Sequence, residues 1–115
     1  MFTVYIIATV LTAAANFFSA TLDFIRYKQV LINMAKAGVP GSWITMLGTL
    51  KAAGALGLLV GIGVPLIGTA AAVGLILFFV GAIITHLRAR DYSFGLAVVF
   101  LLLAVAALVL RVATL

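Results

Sequence analysis

No cysteine occurs in this chain, which excludes disulfides, thiolate metal sites, iron–sulfur ligation and thiol redox chemistry. Carboxylates are nearly absent too, since Asp23 and Asp91 are the two acidic residues among 115. Hydrolytic metal catalysis is therefore not expected. His86 is the single histidine, and one imidazole without a second makes a poor metal or haem site. No P-loop or dinucleotide fingerprint is present, because the glycines fall inside apolar runs and do not follow a strand. Charged residues make up 8% of the chain, where soluble domains carry about 25%.

What the chain has is apolar surface, at 67% of residues, against about 45–50% in soluble domains. So short a chain cannot bury that much surface in a soluble core. Lipid is the expected solvent, and a single domain over residues 1–115 is the expected organisation. A net charge of +5 would suggest a nucleic-acid partner in a soluble protein. Here the basic residues sit between apolar runs, as the positive-inside bias predicts, so no nucleic-acid partner is expected.

Hydropathy predicts four spans, at about 2–26, 43–62, 65–87 and 94–112. The first has no Lys or Arg before it and outruns a signal core of about 7–15 residues, so it is read as a retained helix. Thr12, Asn16, Ser19, Asp23 and Arg26 follow one another at alternating steps of four and three, which places them on one helical face. Lipid cannot satisfy such groups, so this stripe is expected to look inward. Ile7, Leu11, Phe18 and Ile25 fall on the opposite face.

Between spans one and two, Tyr27, Val30, Leu31 and Met34 form an apolar set at helical spacing. The segment predicts an amphipathic helix, lying in the interface or continuing the first span above the headgroups, broken by Gly38-Val39-Pro40-Gly41. Ser42 is the expected N-cap of the second span, with Trp43 in an interfacial belt. Gly61-Ile62-Gly63-Val64-Pro65 predicts a short uncharged hairpin into the third span. There Ala71, Gly74, Phe78, Gly81 and Thr85 predict a narrow small-residue seam. Ser93 is the expected cap of the fourth span, and Arg111 near its end is expected to snorkel outward.

Arg26, Lys28 and Lys36 follow the first span and Arg88 and Arg90 the third, whereas the other side has Arg111. The positive-inside rule therefore predicts both basic connections in the cytoplasm and both termini outside. The fold class expected is all-α: an integral membrane four-helix bundle with an amphipathic cytoplasmic segment between helices 1 and 2.

Lys51 is the one charge inside the second span. An ammonium at a span centre costs about 2.5–3.5 kcal/mol on insertion scales, so it is expected to face neighbouring helices. Glycines at 48, 54, 57 and 61 leave room for them. At about 1.5 Å per residue, Asn16 lies roughly 10 Å inside Asp23 and Lys51 roughly 12 Å inside Trp43. Equal depth suggests a polar, net-positive cleft at the cytoplasmic leaflet, lined by Asn16, Ser19, Asp23, Lys51 and His86, with Arg26 and Arg88 at its mouth. Lys51 and His86 would donate to a quinone carbonyl or a lipid phosphate. The structural alternatives are that Lys51 pairs with Asp23 or Asn16 to lock the bundle, and that His86 beside Arg88 and Arg90 is an interface anchor.

With those residues in view, the chain from about Met34 to Arg111 resembles the DoxX-like family of small bacterial membrane proteins. The resemblance is carried by Gly38-Val39-Pro40, the block from Leu47 through Lys51 to Leu59, Pro65, Ala71-Ala72, Gly74-Leu75, Gly81-Ala82 and His86-Leu87-Arg88. It implies a four-helix protein of the bacterial inner membrane, loosely associated with membrane redox systems. Without cysteine or a haem-ligand pair, what it leaves is an accessory subunit, or a protein that contacts quinone or lipid, within a larger membrane complex or a homo-oligomer. A catalytic subunit of a quinone-linked oxidoreductase and a small homo-oligomeric transporter are the alternatives, and a non-enzymatic role is favoured.

Overall fold

In hydrocarbon every backbone N–H and C=O must find its partner inside the protein, which for a single apolar run means a helix. The computed structural model describes residues 2–91 and 95–114, and among them there is no strand. Its helices are α1 (Phe2–Phe24), α2 (Lys28–Lys36), α3 (Ile44–Val60), α4 (Pro65–Arg88) and α5 (Gly95–Ala113), with a 3-10 turn at Gly41–Trp43 before α3. Four segments are long and apolar enough to cross a membrane: Phe2–Phe24, Gly41–Val60, Pro65–Arg88 and Gly95–Ala113. The long dimension is 40 Å, about the thickness of a bilayer with its headgroups.

The four long helices close a ring, with α1 packed on α3 and α5, and α4 packed on α3 and α5. Lipid tails are as apolar as leucine, so close backbone approach and polar contacts must hold such a ring together. The α3–α4 pair shows how. Gly54 faces Leu75, Gly57 faces Ala71, and Gly61 meets Gly68 backbone to backbone. A Cβ on Gly57 would sit 2.7 Å from that of Ala71. The hairpin between the two helices is the short uncharged turn expected, with Pro65 in the first turn of α4. Around Phe79 the core is completed by Leu58, Ala72, Leu75, Ala104 and Ala107.

The polar stripe of α1 turns inward as its spacing predicts. Thr9, Thr12 and Asn16 are fully buried and Asp23 nearly so, while Ile7, Leu11, Phe18 and Ile25 are all more than half exposed. Arg26 departs from the stripe. The helix ends at Phe24, and Arg26 takes a left-handed φ of 52°. The Tyr27 N–H then closes back on the Leu22 carbonyl at 3.0 Å. That C-terminal closure turns the chain, so Arg26 no longer shares the face of Asp23.

Three local expectations are corrected. Ser42 does not cap α3: it lies within the 3-10 turn, Trp43 occupies the cap position, and no side chain caps the helix there. The chain is already helical at Trp43, whose N–H reaches the Pro40 carbonyl at 3.0 Å. The small-residue face of α4 is displaced as well. Gly68, Ala71 and Ala72 pack inward, whereas nothing lies within 4 Å of a Cβ built on Gly74 or Gly81. Ser93 lies outside the described residues.

The third correction concerns Arg111, which does not snorkel. It is 5% exposed, and its Nη1 donates to the Gly61 carbonyl at 3.1 Å. Its guanidinium lies 4.4 Å from the centroid of the Tyr5 ring. Gly61 is the C-cap of α3, so the cation sits at the negative end of that helix, where freed carbonyls collect. The ring face supplies further attraction. One side chain of α5 thereby ties α1 and α3 together at the end opposite α2.

Candidate functional site

At the end that carries α2, Lys51 leaves α3 and reaches α1. Its Nζ donates to Ser19 Oγ and to Asp23 Oδ2, each at 2.9 Å. The Asp23 side chain is 2% exposed and that of Lys51 14%, so the ion pair is nearly sealed. Gly48 allows that sealing, since a Cβ there would lie 2.9 Å from the Asp23 Cβ. The ammonium also stands 5.7 Å from the centre of the Phe78 ring, a cation–π distance.

Asn16 is not part of this cluster. Its Nδ2 donates to the Thr12 carbonyl at 2.9 Å, and its Oδ1 is buried without a hydrogen-bond partner. Depth alone put Asn16 beside Lys51, but an ammonium on a flexible stem gains most from a carboxylate and stretches toward Asp23.

His86 is in the last turn of α4, and its Nδ1 lies 3.0 Å from Asp91 Oδ2, the ring nitrogen donating. The pairing arises because α4 ends in a tight reversal, with Arg90 at a φ of 54°. The Asp91 N–H returns to the His86 carbonyl at 2.9 Å. Five residues is an unhelical separation, and only this closure folds Asp91 back over the imidazole.

Between these two pairs lies a cavity of about 390 Å³, bordered by Ser19, Asp23, Lys51 and His86. Asn16, Arg26 and Arg88 do not border it. Its walls are mostly aromatic and aliphatic. Phe78, Phe79 and Phe100 contribute rings, packed edge-to-face at 5.0 and 5.3 Å between centroids, and Trp43 closes the α2 end. From α2, Met34 is the one buried contributor. Leu50 and Leu96 belong to the wall and are also well exposed, so the space opens sideways on the flank of the molecule.

Charge inside is balanced. Among the lining residues the Asp23 carboxylate offsets the Lys51 ammonium, while Asp91 pairs with His86 from outside the lining, so the net-positive cleft expected from the sequence is not what forms. The surplus positive charge lies at the rim, on Arg26, Lys28, Lys36, Arg88 and Arg90, all exposed. No group of three or more metal-ligating side chains occurs among the described residues.

Four membrane-length helices around a sideways-opening, ring-walled cavity define a small membrane protein. The chain belongs to the DoxX-like family, whose family model matches residues 7–109. Comparison with curated proteins and with solved structures gave no match.

Proposed function

We propose that this protein binds an uncharged amphiphile with a carbonyl-bearing ring head, of the quinone class, as an accessory component of a membrane redox system. The observation that carries the reading is the pairing of aromatic walls with a buried, charge-balanced donor set in one cavity. A flat ring stacks on Phe78, Phe79 and Phe100. Lys51 has three N–H groups, and the Ser19 and Asp23 bonds engage two of them, which leaves one to meet a carbonyl. A phosphate brings negative charge up to an ammonium already neutralised by the Asp23 carboxylate, so a neutral head fits better. The sideways opening suits a ligand that arrives through the bilayer with its tail in lipid.

By the positive-inside rule the basic end faces the cytoplasm, which places the cavity in the cytoplasmic leaflet of a bacterial inner membrane and both termini outside. Quinone supplies two-electron, two-proton redox chemistry when bound. The residues of this chain bind the head, orient it and exclude water.

Trp43 is the single tryptophan and borders the cavity, so its fluorescence reports occupancy. Titrating the purified protein with a short-chain ubiquinone should give saturable quenching. Gly81 also borders the cavity, and a Cβ built there has nothing within 4 Å. Gly81→Leu should therefore fill the space without disturbing the packing, and abolish the saturable phase. Saturable quenching that persists unchanged in Gly81→Leu would sink the reading.

A further inference from the structure

Arg88 stands apart from the ring cavity, and among the described residues no carboxylate pairs with it. It borders a second hollow of about 460 Å³ together with Gly38, Pro40, Trp43 and Thr85. The two spaces share Ala37, Val39, Trp43 and Thr85 as walls, so the hollow sits at the mouth of the cavity. Their chemistry differs. The cavity is charge-balanced and ring-lined, whereas the charged group at the hollow is a cation.

Its level in the fold is equally telling. Arg88 ends α4, and Trp43, half exposed at 49%, marks the depth at which indoles and lipid headgroups meet. Lys28, Lys36 and Arg90 are exposed at the same end and raise the local positive potential. Gly38 has a left-handed φ of 76° and open space on its Cβ side, so this part of the wall leaves room for a bulky group. At that depth the abundant anions are lipid phosphates.

We propose that this hollow is a binding site for the headgroup phosphate of an anionic phospholipid, held by the Arg88 guanidinium at the cavity mouth. The planar fork of arginine takes two phosphate oxygens at once, which a diffuse basic surface does not do. The site needs only the hollow and Arg88, so it stands or falls independently of the ring-binding reading.

Native mass spectrometry of the detergent-purified protein tests it, with phosphatidylglycerol and phosphatidylcholine titrated in parallel. The intact protein should retain phosphatidylglycerol preferentially. Arg88→Gln should weaken that retention about tenfold, the effect of losing charge-assisted hydrogen bonds. Arg88→Lys should fall between the two, and Arg90→Gln should stay within about threefold of the parent, as for an exposed charge. Arg88 makes no hydrogen bond through its side chain among the described groups, so its variants should melt with the parent. Equal losses in Arg88→Gln and Arg90→Gln would mean diffuse attraction and would overturn the site, as would equal retention of both lipids. Displacement of the lipid by millimolar inorganic phosphate would assign the hollow to free phosphate and overturn the lipid assignment. Gly81→Leu, at a position that borders the cavity and not the hollow, should keep its preference for phosphatidylglycerol, which separates failure of this site from failure of ring binding.

Discussion

Asp23 and Lys51 are each the condition for the other's burial. At 2% and 14% exposure each has given up most of its hydration and is answered by the other, and the Ser19 hydroxyl adds a further acceptor. Lys51→Met should therefore destabilise the protein, by about 3–5 kcal/mol for a broken buried pair. The double variant Lys51→Met/Asp23→Leu should recover most of that loss, because apolar replacement of a whole buried pair is often neutral or better. Thermal melts in detergent compare the two, and a single variant as stable as the parent would show the pair to be ornamental. At the other end, Arg111→Lys keeps the charge but loses the flat group that rests on Tyr5 and reaches Gly61. It should cost about 1–3 kcal/mol, the range for a buried hydrogen bond to a charged group. A melt unchanged by that substitution would contradict the role assigned to the guanidinium.

At the scale of helices, contact in lipid depends on how near two backbones come. The α3–α4 seam sets that distance with glycine where the helices converge on their hairpin. Gly61→Ala would drive its methyl group into the backbone of Gly68, which cannot yield as a side chain would. The helices must then part, and the cost should be about 1–3 kcal/mol, as for an overpacked core. Gly74→Ala makes the contrast, since its added methyl meets nothing within 4 Å. Removing a glycine from a helix interior should leave stability unchanged or raise it by up to about 1 kcal/mol. Chemical or thermal midpoints of the two variants should move in different directions, and a common loss would mean that α4 packs through both faces. The seam also explains a misreading. Ala71, Gly74, Phe78, Gly81 and Thr85 do share a helical face by spacing, but α4 is turned so that Ala71 meets Gly57 while Gly74 and Gly81 stay open. Periodicity yields the faces of a helix, and only its neighbours choose among them.

For the molecule as a whole, the decisive asymmetry is between its two ends. One carries α2, both acid–base pairs, both hollows and five exposed basic residues. The other carries Arg111, turned inward. A membrane potential and an anionic inner leaflet reward that distribution with one orientation. Absence of cysteine makes the orientation simple to read. Gln29→Cys on exposed α2 should react with a membrane-impermeant maleimide only after the cytoplasmic side is opened, and Gly63→Cys in the α3–α4 turn should react from outside in intact cells. The reverse pattern would invert the topology and move the cavity to the outer leaflet.

Much of this protein follows from its residues taken in order. Apolar runs of bilayer length must become helices, because hydrocarbon offers the backbone no other partner. The inward stripe of α1, the amphipathic α2 and the hairpin at Gly61–Pro65 are local consequences of spacing, glycine and proline, and were legible for that reason. Tertiary structure alone decided who meets whom. Lys51 chose Asp23 and Ser19 over Asn16, Asp91 folded back onto His86, and Arg111 turned inward to the end of α3. A charge in low dielectric goes to the nearest group that can answer it, and nearness between segments is set by how the helices pack, which no single stretch of chain encodes.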